Sequence, residues 1–328
     1  MSALSVDDLE SGFAAIMDGA ANDAEVMSFL LHTIPQMTDP VALAAGARAL
    51  RTRMIPVRAP ADTIDVCGTG GDGAHTLNIS TAVAFVVAGC GVTVAKHGNR
   101  AMSSKSGAAD VLEALGVKLT GDVATLERCL DEARIAFLFA QNHHPAMRHV
   151  AAARRALGRR TIFNLLGPLS NPARVDRQLV GVYSADAVRP VAEALAMLGA
   201  RRAIVVHGAG GLDELSCEGP ALVAEAVEGD VRSFHLDPAE AGLMPSPNAG
   251  VRGGDAGENA AQLERLLQGK LSGSGYEAFV LFNAAAALVT ASRVADMREG
   301  AATAQRALHD GRALAALDAL RALTADAP

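Results

Sequence analysis

Asp65-Val66-Cys67-Gly68-Thr69-Gly70-Gly71-Asp72-Gly73 is followed by Asn78-Ile79-Ser80-Thr81 and then by Lys96-His97-Gly98-Asn99-Arg100. Thr63 to Cys67 reads as a short β-branched strand, Asn78 to Gly89 as a helix and Val92 to Ala95 as a second strand. A glycine-rich turn, a hydroxyl-rich helix start and a basic-amide loop therefore follow one another, and such a segment can surround a phosphorylated ligand from three sides. The expectation is an enzyme or binder for a phosphosugar or nucleotide-like compound.

Outward from this segment the alternation continues. Gly107 to Leu115 reads as a helix, Arg134 to Ala140, Gln178 to Ser184 and Arg202 to His207 as buried strands, and Ala185 to Leu198 as a helix between the last two. Such alternation predicts an α/β fold with a mostly parallel central sheet flanked by helices. Leu222 to Leu236, with Glu228-Gly229-Asp230 at its turn, reads as a β-hairpin; Asn259 to Gln268, Tyr276 to Ala291 and Asp296 to Leu323 read as helices. The N-terminal part differs. Ser5 before an acidic first turn, Asn22 with Glu25, and Asp39-Pro40 mark three helix starts with no strand between them. Residues 1–61 are thus expected to form a small helical domain, with Ile55 to Ala61 as its exit linker, and residues 62–328 the larger α/β domain. Pro145 to Leu157 reads as an interrupting helix, and the stretch 145–160 could return to the N-terminal helices.

At 328 residues, half of them apolar, the chain can bury a large core. Lysine and arginine number 29 against 36 aspartates and glutamates, a net charge of −7 that argues against a broad nucleic-acid surface. Anionic ligands would have to be met by local basic groups and backbone N–H donors. Cys67, Cys90, Cys129 and Cys217 are dispersed and lack zinc-like spacing, which suits small buried hydrophobes in a reducing compartment. Met1 to Gly19 lacks the basic start of a signal peptide, and the apolar run Val83 to Ala95 is broken by Gly89 and Gly91. A cytoplasmic protein without a membrane partner is expected.

Gly68 to Gly73 formally matches the dinucleotide fingerprint G-x-G-x-x-G. However, the following strand ends in Lys96-His97 rather than in the acid that would hold ribose hydroxyls, and no Gly-Lys-Ser/Thr of a Walker loop follows. What remains is a turn whose N–H groups cradle a diphosphate, or else a purely structural turn. Ser80 and Thr81, at a helix start, could offer oxygen to a magnesium ion or serve simply as capping residues. Lys96 to Arg100 and Ser103 to Gly107 place cations, an amide and hydroxyls after a buried strand, where open α/β sheets bind ligands.

Together these segments resemble the anthranilate phosphoribosyltransferase family, whose motifs include the Gly-Thr-Gly-Gly-Asp loop, Asn-Ile-Ser-Thr, Lys-His-Gly-Asn-Arg and a later Asp-Glu pair. That pair stands here as Asp213-Glu214, and Thr161 to Ala173 also matches. The resemblance runs over nearly the whole chain. It implies that phosphoribosyl pyrophosphate is bound by Gly68, Gly71, Asp72, Thr76, Asn78, Ile79, Ser80, Thr81, Lys96, His97, Gly98, Asn99, Arg100, Ala101, Met102, Ser103, Ser104 and Ala108. It further implies that anthranilate meets Gly68, Asn99, His143 and Arg154, with Asn99 and Arg154 positioning the reactants. Magnesium, two ions per subunit, would sit on Ser80, Asp213 and Glu214. A homodimer built through the helical part is implied as well. Two departures stand out: Ala108 where the family often has serine near the phosphate, and His75 where asparagine is common.

The implied chemistry is transfer of a 5-phosphoribosyl group to the anthranilate amine without a covalent nucleophile. A pyrimidine nucleoside phosphorylase is a rival reading, disfavoured because that family resembles Lys-His-Ser-Thr-Gly where this chain has Lys96-His97-Gly98-Asn99-Arg100. A silent paralogue that binds nucleic acid is a second, disfavoured by the net charge and the intact acid pair.

Overall fold

The computed structural model describes residues 3–101 and 105–327. Three helices come first: α1 (Val6–Met17), α2 (Asp23–His32) and α3 (Pro40–Arg51). Their starts follow from the local chemistry. Ser5 and Asp8 make a reciprocal capping box, Asn22 and Glu25 make another, and the Asp39 carboxylate accepts from the Val41 N–H beside Pro40. Phe13 of α1 is fully buried and meets Phe29 edge-on at 4.9 Å and Phe163 at 5.8 Å.

The sheet contains β1 (Ile64–Gly68), β2 (Val94–Gly98), β3 (Ile135–Phe139), β4 (Arg177–Gly181), β5 (Arg202–His207), β6 (Ala221–Val227) and β7 (Asp230–Leu236). Their spatial order is β3-β2-β1-β4-β5-β6-β7; the first five are mutually parallel, and β6 and β7 add an antiparallel edge. Between and after the strands lie α4 (Ile79–Gly89), α5 (Ala108–Ala114), α6 (Val123–Arg128), α7 (Ala140–His143), α8 (Arg148–Leu157), α9 (Phe163–Leu166), α10 (Val188–Met197), α11 (Ala256–Leu267), α12 (Gly275–Thr290), α13 (Met297–His309) and α14 (Arg312–Ala325).

Strand alternation sorts the apolar side chains onto two faces. Val66, Leu179, Ile204 and Val206 pack with α4, α5, α12, α13 and α14. Cys67, Val180, Val182, Ala203 and Val205 pack with α1, α2, α3, α8 and α10. The N-terminal helices thus share an apolar core with one face of the sheet, and α8 packs against α1 and α2. Among the described residues, no helix is long and apolar enough to cross a membrane.

Some boundaries differ from the sequence reading. β2 runs on through Lys96, His97 and Gly98, because these residues pair with β3 in parallel register instead of opening a loop. The stretch expected as one helix over 296–323 is two, broken at Asp310-Gly311, where Gly311 has φ +74°. Pro145 to Leu157 begins as a 3-10 turn before α8, since His144 is not helical. The hairpin holds: Glu228 and Gly229, both at positive φ, join β6 and β7.

The chain visits β1, β2 and β3 in one direction, then returns to place β4 and β5 on the other side of β1. The crevice at the carboxyl ends of β1 and β4 is therefore the topological switch point, where ligands of such sheets bind. Helix packing behind it is tight. A β-carbon on Gly89 would lie 2.8 Å from the Ala313 backbone nitrogen. Gly89→Val should lower unfolding stability by about 1–3 kcal/mol, to be read from urea titration with an unchanged m-value; an unaltered midpoint would refute that contact.

Candidate active site

The ends of the central strands are glycines for a steric reason. Gly68 of β1 and Gly181 of β4 are register partners, and Gly208 follows β5. A β-carbon on Gly68 would lie 2.5 Å from Asp213 Oδ2; one on Gly181 would collide with the Asp213 carbonyl, and one on Gly208 with that of Glu214. The loop carrying Asp213 and Glu214 thus rests directly on the strand ends. Asn283 of α12 holds it from behind, accepting from the Leu215 N–H at 2.9 Å and donating to the Leu215 carbonyl at 2.8 Å. Gly181, Gly208 and Asn283 were not singled out from the sequence; each acts through the loop it supports, and no motif announces that.

The glycine turn faces the acid loop. Asp213 Oδ2 accepts from the Gly70 N–H at 2.6 Å, and Asp72 Oδ1 accepts from the Ala74 N–H at 3.1 Å. Gly70, Gly71 and Gly73 have φ of +66°, +78° and +76°. Among the described residues, the N–H groups of Gly71, Asp72 and Gly73 have no hydrogen-bond partner. Three successive unpaired donors at a strand end form an anion cradle. Thr76 then bridges to Arg252 in antiparallel fashion, with Leu77 N–H on the Val251 carbonyl at 2.8 Å and Gly253 N–H on the His75 carbonyl at 2.8 Å. His75 sits at φ +52°, a left-handed conformation that asparagine also tolerates better than most residues.

At the start of α4, Asn78 does not cap its own helix; its Oδ1 accepts from Asn259 Nδ2 at 2.9 Å. The Ser80 N–H donates to Glu214 Oε1 at 3.1 Å, placing a carboxylate at a helix N-terminus. Lys96 is buried and donates from Nζ to the Val66 carbonyl at 2.7 Å and to Ser80 Oγ at 3.1 Å. Ile79 and Thr81 are buried.

Burial, followed by repulsion from Asp72, pushes the Asp213 carboxyl well up from its ordinary value; burial, followed by repulsion from Asp213, does the same for Glu214 while Lys96 opposes it. Two adjacent carboxylates held apart from solvent in this way favour a cation between them and the crevice. With Ser80 Oγ they offer hard oxygen donors of the kind magnesium takes. Among the described residues no cluster of three or more His, Cys, Asp and Glu is set to enclose a metal, so an ion here would complete its shell from a ligand or water.

The other wall is built by the loop after β2. Gly98 approaches Phe137 too closely for a side chain, and Gly107 folds under Asn99 and Ala101. Asp110 Oδ2 accepts from the N–H groups of Ala101 and Gly107 at 3.1 and 2.9 Å, and Arg100 is ion-paired with Asp110 and Glu113. Arg100 is thus engaged by acids in this structure. Ala108, the first residue of α5, is partly buried against the core. Met102, Ser103 and Ser104 lie outside the described residues.

The histidines face inward. His97 is buried, with Nδ1 on the Gly167 carbonyl at 3.1 Å and Nε2 3.2 Å from His144 Nε2. Any ligand contact of His97 would be through its backbone. His143 is fully buried with Nδ1 on the Ile55 carbonyl at 2.9 Å, which ties α7 to the linker. Arg154 of α8 lies 5.9 Å from the Phe163 ring and has no ion-pair partner among the described residues, while burial lowers its pKa. A partly buried, unpaired guanidinium is suited to a carboxylate.

A parallel sheet with a glycine-rich anion cradle and an acid pair over its switch point has the features of a phosphosugar-handling α/β transferase. Consistent with this, residues 60–314 match the glycosyl transferase family, a/b domain. The anthranilate phosphoribosyltransferase of Phenylobacterium zucineum is 52% identical over 98% of this chain and 95% of its own length; that of Novosphingobium aromaticivorans is 51% identical over 94% and 93%. The crystal structure of the Thermus thermophilus anthranilate phosphoribosyltransferase superposes with a TM-score of 0.93 at 41% identity, covering 99% of this chain and 97% of that one. The Saccharomyces cerevisiae enzyme, solved in complex with PRPP and Mg, superposes with a TM-score of 0.88 at 29% identity, covering 98% and 94%. The chain belongs to the anthranilate phosphoribosyltransferase family.

The paired histidines make stability depend on pH. Burial, then the nearby His143, depresses His144 from 6.5 to about 4. The unfolded chain therefore takes up a proton near pH 6.5 that the folded chain refuses until about pH 4. Stability is full above pH 6.5 and falls as pH drops through this window, by about 3 kcal/mol for this group. His144→Asn should flatten the wild-type slope of unfolding free energy between pH 7 and 4; an identical slope would remove this assignment.

Proposed function

We propose that the chain transfers the 5-phosphoribosyl group of phosphoribosyl pyrophosphate to the amine of anthranilate, releasing pyrophosphate, the second step of tryptophan synthesis from chorismate. The observation that carries this reading is the convergence of the unpaired Gly71–Gly73 N–H groups and the Asp213–Glu214 pair on one switch-point crevice. The N–H groups, with Thr76 and Lys96, bind the pyrophosphate; Asn99 and the loop after β2 enclose the ribose. Ser80, Asp213 and Glu214 would hold magnesium, two ions per subunit, which when bound neutralises the departing pyrophosphate.

The protein's own part is orientation and charge complementarity. Arg154 takes the anthranilate carboxylate and Asn99 aligns the amine with the anomeric carbon. An aromatic amine is already neutral at pH 7, so no strong base is needed, and His143 serves this wall through its hold on the linker. Residues 1–61, joined by 145–160, act as a helical unit that closes over residues 62–328 and excludes water from the donor. A cytoplasmic homodimer associating through that helical unit completes the reading.

Loss of anthranilate fluorescence on adding donor and magnesium tests the activity directly. Asp213→Asn combined with Glu214→Gln should lower magnesium-dependent turnover at least about a hundredfold; full activity would remove the metal assignment. Arg154→Ala should raise the anthranilate KM by about tenfold to a hundredfold, the worth of a charged hydrogen bond, and leave the donor KM nearly unchanged. Equal shifts in both would place Arg154 elsewhere.

A further inference from the structure

The tip of the glycine turn is held by a side chain outside the proposed donor and acceptor contacts. Arg160, between α8 and α9, donates from Nη2 to the Gly71 carbonyl. Its guanidinium lies over the Tyr183 ring, 4.0 Å from the centroid. Tyr183 stands two residues beyond the end of β4, and its N–H donates to Thr69 Oγ1 at 3.1 Å, while the Thr69 N–H donates to the Gly181 carbonyl at 2.9 Å. The turn is therefore anchored to β4 at its base and to Arg160 at its tip, and the ring braces the arginine.

Across a planar trans peptide, the carbonyl of one residue and the N–H of the next point in opposite directions. With the Gly71 carbonyl held by Arg160, the Asp72 N–H is turned to the side away from that arginine. Gly71, at φ +78°, has no side chain to choose between peptide orientations, so the choice falls to the partner of its carbonyl. A guanidinium stacked on an aromatic face is well suited to that task, because its plane is fixed before the hydrogen bond forms.

We propose that Arg160, braced by Tyr183, is a positioning residue that holds the Gly71–Asp72 peptide in the orientation presenting its N–H to the donor's pyrophosphate. The inference rests on the phosphoribosyl-transfer reading. It adds that the connector between α8 and α9, which follows Arg154 on the acceptor side, also sets the donor cradle.

The test combines steady-state kinetics with calorimetric titration of inorganic pyrophosphate in the presence of magnesium, on the wild-type chain, Arg160→Ala, Arg160→Lys, Tyr183→Leu and the double variant Arg160→Ala/Tyr183→Leu. Arg160→Ala should raise the donor KM and the pyrophosphate Kd by about tenfold, the loss of one charge-assisted hydrogen bond. The anthranilate KM and the melting temperature should stay near the wild-type values. Arg160→Lys, which keeps a donor but loses the planar stack, should recover part of the loss. Tyr183→Leu should show part of the Arg160→Ala effect, and the double variant should be no worse than Arg160→Ala alone.

An unchanged pyrophosphate Kd in Arg160→Ala, or donor and acceptor KM values rising together, would overturn the proposal. Should Arg160→Ala not fold, Arg160→Lys and Tyr183→Leu carry the same comparison: a raised donor KM supports it and wild-type constants overturn it. If the wild-type chain leaves anthranilate unconsumed, the transfer reading fails by itself. The pyrophosphate titration then still decides on Arg160.

Discussion

The loop carrying Asp213 and Glu214 lies on the bare ends of β1, β4 and β5, and most of the site follows from that contact. It is possible only because Gly68, Gly181 and Gly208 present no side chains. Once there, Asp213 meets the Gly70 N–H and Glu214 meets the Ser80 N–H, so one dipeptide fixes both the glycine turn and the start of α4. The arrangement concentrates negative charge where solvent cannot disperse it. Lys96 from the adjacent strand compensates in part, and a divalent cation is the natural complement of what remains.

Around this centre the proposed function separates two kinds of recognition. In the proposed donor site anions are met by backbone N–H groups, which carry no flexible side chain to order and no charge for the acid pair to neutralise. The proposed acceptor side instead offers a guanidinium, Arg154, on a helix packed against the N-terminal helices. With a net charge of −7, the chain concentrates arginines on one connector, where Arg148, Arg154, Arg155, Arg159 and Arg160 follow one another without an intervening acid. That local excess opposes the overall charge at the place where two anionic reactants would arrive.

Much of the framework was legible in the residue order. Ser5, Asn22 and Asp39 marked helix starts because side-chain caps are local interactions, decided within three or four residues. The parallel strands were legible as short β-branched runs, and Glu228-Gly229 as a turn that only positive φ can make. Errors arose where tertiary pairing overrode local character. Lys96 and His97 look like loop residues, yet the β3 ladder draws both into a strand and buries them. Asn78 stands at a helix start, yet its side-chain oxygen accepts from Asn259, distant in sequence.

What the sequence determined by itself was the chemistry on offer: glycines able to adopt positive φ, hydroxyls, an amide, an acid pair and a run of arginines, together with the alternation that makes an α/β sheet. What only the tertiary structure decided was which of these meet. Glycine is uninformative until something is seen to occupy the space its missing side chain leaves, and for Gly68 and Gly181 the occupant is Asp213, from far along the chain. Likewise, the histidines of the motifs are available in composition but buried in space, where His97 and His144 meet each other. Local rules set the elements; the non-local contacts, which no short window of sequence contains, set the site.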